Sequence, residues 1–228
     1  MKEITGYRLL IAAALVVVLA TAAFASGTQE SSGAPISNNP RARVTYLEGD
    51  VTVNGEPAVL GNYVAVGSSV TTGEDALLEI TFSDRNIFEI QANTVAVVSV
   101  NDKMRSVELK TGSFGAVFDK LQTVSSSGGD GFRVTAPTAV GGVRGTTFFF
   151  EVEDQDNTYV CACNGTVAMA DADRQQVQEV TAKHHKAFRY TRGSDGTITV
   201  NGAGMLYHTD DQMNQLASRI GVSIPWQK

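Results

Sequence analysis

From residue 41 onward, apolar and polar residues alternate along most of the chain. Val44 and Tyr46, and then Val51 and Val53, are separated by single polar residues. Side chains two positions apart lie on the same face of a β-strand, so this period predicts half-buried strands. Asn54-Gly55 is typical of a tight hairpin turn. Similar runs predict further strands over residues 75–82, 86–91, 95–100 and 105–109.

The spacing of these strands indicates the fold class. Strands recur every 8–12 residues or so, with turn residues between them and no long helical period, which is typical of all-β proteins. We therefore predict a single, antiparallel-rich all-β domain, built as a sandwich, a barrel or a solenoid. Residues 125–131, with the sequence SSSGGDG, predict a loop that divides the β region without making two domains.

One short helix is predicted near the C-terminus. Thr209 followed by Asp210, Asp211 and Gln212 fits a capping box, in which the Gln side chain reaches back to the cap, and the acidic residues suit the positive helix end. Gly221 predicts the end of this helix. Its apolar face is formed by Met213, Leu216, Ala217 and Ile220.

The N-terminal residues predict export. Lys2 and Arg8 precede a 17-residue apolar run that ends in Ala-Phe-Ala, a pattern typical of a secretory signal peptide over residues 1–25. An uncleaved membrane anchor is the alternative, although a comfortable bilayer span needs about 20 residues. Residues 26–40 are rich in Ser, Gly, Asn and Pro and predict a flexible linker. The location is then periplasmic or otherwise extracytoplasmic.

Charge and cysteine content narrow the class of protein. The whole chain has a formal net charge of −6, which opposes binding to nucleic acid or to anionic lipid. Two cysteines cannot build a disulfide scaffold, so the fold depends on apolar burial. The predicted organisation is a β domain over residues 41–207, followed by a helix and tail over residues 208–228.

Four short stretches of this β region resemble the FecR-type domain, and they occur in the family's order. They are YLEGDV at 46–51, the glycine-rich segment with ALLEITFSD at 60–84, TAPTAV with VRGTTF at 135–148, and NGTV at 164–167. The resemblance runs over about 150 residues. It implies a non-catalytic sensing or interaction domain of the cell envelope, with an envelope protein or a cell-wall component as partner.

Two features of the chain qualify this resemblance. The regulator that gives the family its name resembles a membrane-spanning protein with a cytoplasmic segment that acts on a sigma factor. Here about eight residues precede the apolar run, too few for such a segment, so control of a sigma factor by direct contact is not expected. The tail resembles those of some exported FecR-type proteins, which have a C-x-C-x-G stretch, a His-His pair and a later His-Thr-Asp.

The candidate chemistry lies in the last third of the chain. All cysteines and histidines of the protein are found there: Cys161, Cys163, His184, His185 and His208. On a strand, both thiols would lie on one face and form a two-sulfur half-site. They could equally be small buried side chains, or a local disulfide in a kinked strand. His184 and His185 are neighbours, so only one of them is expected to meet the thiols.

Two thiolates and two imidazoles are a ligand set that suits tetrahedral zinc, with iron or copper as alternatives. His208 could instead simply pack at the start of the helix. Residues 1–228 contain no recognisable catalytic motif, so we do not expect an enzyme. Two hypotheses follow: a binding or sensing module whose tail is fixed by a structural metal site or by a buried polar cluster without metal, or a metal-dependent or thiol redox protein. Three protein ligands with an open position would favour the second, and four would favour the first.

Overall fold

The computed structural model describes residues 42–83, 85–101, 104–119, 131–143 and 145–226. The predicted signal peptide and linker lie outside these residues, as does nearly all of the predicted loop at 125–131. The described elements are β1 Arg43–Glu48, β2 Val51–Val53, β3 Glu56–Pro57, β4 Ser68–Thr72, β5 Leu77–Phe82, β6 Asn86–Ile90, β7 Val95–Val100, β8 Arg105–Phe118, β9 Phe132–Thr135, β10 Ala139–Val143, β11 Thr147–Val152, β12 Asn157–Asp171, β13 Gln178–Ala182, β14 Lys186–Arg192, β15 Ile198–Ala203 and α1 Asp210–Ser218. The predicted all-β fold with a short C-terminal helix is confirmed.

The strands form two sheets that share their two longest members, β8 and β12. One sheet, here called the helix-side sheet, has the order β1-β5-β6-β8-β11-β12-β14-β15. The other, here called the far sheet, has the order β3-β2-β4-β7-β8-β9-β10-β12-β13. Only the β8–β9 pair is parallel among the described strands, so the prediction of an antiparallel-rich domain is confirmed.

Each long strand passes from one sheet to the other at a glycine with a positive φ. The β8 residues up to Thr111 pair with β7, and the residues from Gly112 pair with β11. In β12 the change falls between Asn164 and Gly165. Gly112 has φ +79° and Gly165 has φ +105°. Residues with a side chain rarely adopt this backbone conformation, so glycine allows both bends.

We expect the bend at Gly112 to be intolerant of a side chain. An added Cβ would lie 2.2 Å from Thr94 Oγ1 and 2.7 Å from Thr94 Cα. Gly112→Ala is therefore expected to lower the free energy of unfolding by at least about 2 kcal/mol, from the strained φ and the clash together. Gly142→Ala is the matched control, because its Cβ would meet nothing closer than 3.9 Å. Urea unfolding that shows equal losses for both variants would contradict this account of the bend.

The main core lies between the two sheets. Seven buried phenylalanines form its centre, with ring centroids 4.7–6.1 Å apart: Phe82, Phe88, Phe114, Phe118, Phe132, Phe148 and Phe150. Phe149 points to the opposite face of β11 and joins a second cluster. The run Phe148-Phe149-Phe150 is thus buried on both faces, as its unbroken apolar pattern predicts.

The second cluster lies on the outer face of the helix-side sheet and is covered by α1. Its buried members are Ile87, Val117, Phe149, Tyr159, Cys161, Cys163, Ala187, Met213, Leu216, Ala217 and Ile224. The helix is the third layer of the fold, and the candidate ligands lie beneath it. None of the described helices is long and apolar enough to cross a membrane.

The helix begins as predicted, but its capping box is incomplete. Thr209 Oγ1 accepts a hydrogen bond from the Gln212 amide at 3.2 Å, which confirms the cap. The Gln212 side chain does not reach back to the cap. Its Nε2 donates instead to Glu89 Oε1 at 2.6 Å, because a buried carboxylate lies within its reach. The helix ends at Ser218, before Gly221, which has φ +66°.

Candidate metal centre

Cys161 and Cys163 lie on the first half of β12, in the middle of the helix-side sheet. Neighbouring strands β11 and β14 flank them, and both side chains face outward into the cluster under α1. The prediction that they share one face is confirmed. Both are free thiols and both are fully buried, with 0% relative exposure. Only neighbouring side chains can therefore reach the sulfur atoms.

His185 reaches the thiols from the turn between β13 and β14. Its backbone has φ +36°, and its amide donates to the Cys163 carbonyl at 2.9 Å. This turn, rather than strand alternation, sends the two neighbouring histidines in different directions. His185 Nδ1 lies 3.5 Å from Cys161 Sγ, and its side chain is 7% exposed. The side chain of His184 is 40% exposed and does not approach the thiols.

His208 enters the site from the segment before α1. Its ring stacks on Phe149 with a centroid distance of 4.4 Å and an interplanar angle of 15°. Its Nδ1 lies 2.7 Å from the Leu206 carbonyl oxygen. Tyr159 holds the same segment, because its hydroxyl donates to the Gly204 carbonyl at 3.1 Å and accepts from the Leu206 amide at 3.0 Å.

Four ligand atoms meet at this point, and all of them lie within 4.8 Å of one another. They belong to Cys161, Cys163, His185 and His208, which we call the Cys–His cluster. The Cys163 Sγ to His208 Nε2 distance is 3.3 Å, and the two inward histidine nitrogens are 3.2 Å apart. Tetrahedral zinc with ordinary bond lengths would separate sulfur from nitrogen by about 3.6 Å and two nitrogens by about 3.4 Å. These two distances are within about 0.3 Å of those expected at a zinc site.

In each histidine of the cluster one ring nitrogen faces the ligands and the other faces away. The inward nitrogens are His185 Nδ1 and His208 Nε2, and the partners of the outward nitrogens influence whether the inward ones carry protons. His208 Nδ1 donates to a carbonyl, and His185 Nε2 lies 2.6 Å from Asp210 Oδ1. These acceptors favour protons on the outward nitrogens, so in the neutral form of each ring the inward nitrogen carries a lone pair that can bind a metal ion. Two lone pairs at 3.2 Å repel each other unless a cation or a proton lies between them. This is the arrangement that metal-binding histidines require.

The two thiols differ in acidity. A hydrogen bond from Cys163 lowers the pKa of the Cys161 thiol to about 4, in spite of burial, and His185 and His208 contribute in the same direction. Burial raises the pKa of Cys163. The two shifts are opposite in direction, so Cys161 loses its proton first and Cys163 keeps its proton to higher pH. A divalent cation would replace that proton, and with two neutral imidazoles the loaded site would be electrically neutral.

Asp210 and His184 lie just outside the Cys–His cluster. The sequence did not predict the contact of Asp210 with a ligand, and it offered His184 as a ligand itself. Asp210 was expected only to favour the helix start, yet its carboxylate lies 2.6 Å from His185 Nε2 and 3.0 Å from His184 Nε2. His184, a candidate ligand in the sequence, contacts this carboxylate and not the cluster. The Trp226 ring stacks on His185 with a centroid distance of 5.1 Å. The sequence signal for Asp210 was its place two residues after His208.

A buried acid beside the helix was also missed. Glu89 is 3% exposed, and its Oε1 accepts hydrogen bonds from Gln91 at 2.7 Å and from Gln212 at 2.6 Å. Burial raises its pKa to about 7, and the neighbouring Glu79 adds to this effect. Its partner Gln212 is 123 residues away in the chain, which is why no local pattern revealed the contact.

The raised pKa of Glu89 predicts a loss of stability as pH rises. The group is protonated in the folded protein up to about pH 7, whereas in the unfolded chain it ionises near pH 4.5. The stability gained from the raised pKa of Glu89 is therefore fully present below pH 4.5. It is lost as the pH rises to 7, by about 3 kcal/mol in total. Glu89→Gln is expected to unfold at higher urea than the wild type at pH 8, and to differ little near pH 4.5.

The exposed Glu108 on β8 provides the control for this experiment. Glu108→Gln removes the same charge at the surface and is expected to leave the pH dependence unchanged. A Glu89→Gln variant that follows the wild-type pH profile would show that Glu89 is ionised in the folded protein.

Part of the chain matches a known protein family. Residues 68–168 match the family model described as FecR protein. The chain carries a FecR domain. This confirms the resemblance seen in the sequence. The matched region begins with β4 and ends within β12, so Cys161 and Cys163 lie inside the FecR domain. His185 and His208 come from the segment that follows it.

Comparison with known proteins and solved structures adds two further results. No curated protein matches the chain. Two crystal structures of a candidate anti-sigma factor from Parabacteroides distasonis ATCC 8503 are similar, with TM-scores of 0.43 and 0.44 and identities of 19% and 18%. Each alignment covers 59% of this chain and 59% of the other.

Proposed function

We propose that the protein is an exported, non-catalytic binding or sensing module of the cell envelope, whose FecR domain is completed by a structural zinc site. The observation that supports this is the convergence of the Cys–His cluster within 4.8 Å. Two thiolates and two imidazoles match the donor preference of zinc, with iron as the alternative. The net charge of −6 favours an envelope protein or cell-wall component as partner over nucleic acid.

The closed ligand set argues against a catalytic metal. A catalytic zinc keeps one position open for water or substrate, whereas four protein ligands fill a tetrahedral site. The cluster supplies four ligands, and its cysteines have no solvent exposure. The zinc would contribute charge neutralisation and cross-linking, and it would join the end of the FecR domain to the tail.

A thiol redox role is the second candidate function. It is favoured by the lowered pKa of Cys161, because the thiolate is the reactive form. Reactive cysteines are, however, partly exposed, and both sulfur atoms here are buried under α1. Access to an oxidant would require the helix to move.

Cobalt substitution tests the proposal against an open site. The cobalt(II) protein is expected to show the absorption of a tetrahedral site with two thiolates, and added azide or cyanide should leave that spectrum unchanged. A spectrum that shifts on addition of azide would reveal an open coordination position. That result would overturn the structural assignment in favour of a metal-dependent activity.

A further inference from the structure

Three consecutive residues connect the Cys–His cluster to the start of α1. His208 faces the cluster through Nε2, and Thr209 caps the helix by accepting from the Gln212 amide. Asp210 is the first helical residue, and its carboxylate contacts His185. These three consecutive residues therefore supply one candidate metal ligand, the helix cap and a hydrogen-bond partner for a second candidate ligand. Any movement of the helix start displaces all three.

The geometry shows that Asp210 acts through His185 and not as a ligand. Its Oδ1 lies 2.6 Å from His185 Nε2. Two atoms bound to one zinc at right angles would be at least about 2.9 Å apart, so this distance is that of a charge-assisted hydrogen bond. The bond points the His185 Nδ1 lone pair at the cluster. Carboxylates in this outer position orient metal-binding histidines and raise their affinity.

We propose that Asp210 is a positioning residue that couples metal binding at the Cys–His cluster to docking of α1. The inference rests on the metal site proposed above. The helix has nine residues, and helices of that length are marginal on their own, so its order depends on tertiary contacts. The docked helix brings Asp210 to His185, and a bound ion holds His185 where Asp210 can meet it. Each event therefore favours the other.

Trp226 provides an internal reporter of this coupling. It is the only tryptophan of the chain. Its ring stacks on His185 at an interplanar angle of 25°, and its Nε1 donates to Asn214 Oδ1 on α1 at 2.9 Å. Its fluorescence thus responds to the position of both His185 and the helix.

The test compares Asp210→Asn with Asp211→Asn in the full chain. Both substitutions remove one negative charge from the first helical turn, but Asp211 is exposed and lies away from His185. Zinc is titrated against a competing chelator while Trp226 fluorescence is followed. We expect Asp210→Asn to weaken zinc binding by 10- to 100-fold, roughly, with the fluorescence change shifted to the same extent. Asp211→Asn should stay within about twofold of the wild type, because the helix-dipole contribution is small.

A conservative variant and cobalt spectra separate positioning from general damage. Asp210→Glu keeps the carboxylate and should recover part of the affinity. The cobalt(II) spectrum of Asp210→Asn should keep its two-thiolate form, since every ligand remains. Wild-type affinity in Asp210→Asn, or an equal loss in Asp211→Asn, would overturn the coupling while leaving the metal site intact. A wild-type protein that binds neither zinc nor cobalt would overturn the metal site and the coupling together.

Discussion

Replacing Cys161 and Cys163 together by serine is expected to abolish metal binding and to destabilise the protein by several kcal/mol. Binding to the folded state alone contributes about 4 kcal/mol when free zinc exceeds the dissociation constant a thousandfold. For a domain of this size, that loss lowers the melting temperature by roughly 10 °C. Both positions are fully buried, so a water molecule from solvent cannot replace either lost sulfur ligand.

The chelator response provides the control for this prediction. Wild-type protein treated with a strong chelator should melt at a lower temperature, by an amount close to that of the double variant. The double variant itself should not respond to chelator, because it has no metal to lose. Equal melting temperatures for the wild type with and without chelator would contradict a structural ion.

The second large effect concerns Phe149 and Phe150, which are adjacent on β11 but face different layers. Phe150 lies between the sheets, and its ring packs where Gly141 has no side chain. Phe149 lies under α1 and stacks on His208. Each is fully buried, so each alanine substitution is expected to cost 3–5 kcal/mol, about the usual loss for a phenylalanine in a core.

Metal affinity distinguishes the two substitutions. Phe149→Ala removes the surface on which the His208 ring rests, and it should weaken zinc binding by about tenfold or more. Phe150→Ala should unfold as easily but keep the wild-type affinity in the folded protein. Zinc competition titrations below the unfolding transition measure this difference. If both variants lose affinity equally, the cluster depends on global stability and not on the layer beneath α1.

Much of the fold followed from local pattern. The alternation near Val44 and Val51 predicted strands, and both strands are present. The hairpin predicted at Asn54-Gly55 is also present, with φ +54° at Asn54 and +84° at Gly55. The full length of β8 was missed. Only residues 105–109 were predicted, because Gly112 interrupts the alternation where the strand bends between sheets. A bend allowed by glycine looks like a strand end in the sequence.

The candidate site was predicted in composition but not in detail. The C-x-C spacing placed both thiols on one face, which holds on β12. The choice of His185 over His184 depended on the positive φ of a turn, which no periodicity reveals. The role of Asp210 arises from a contact 25 residues along the chain from His185. The sequence does not single out Glu89, because its unusual property, the burial of a carboxyl group, depends on the folded structure.

The most direct test of the central claim is metal analysis of purified, untagged protein, with a parallel titration of accessible thiols. We expect about one equivalent of zinc per chain and two thiols that react only after chelation. Absence of metal with two freely reactive thiols would contradict it and leave a metal-free FecR domain. Absence of both metal and free thiols would also contradict it and would make redox chemistry at Cys161 and Cys163 the leading function.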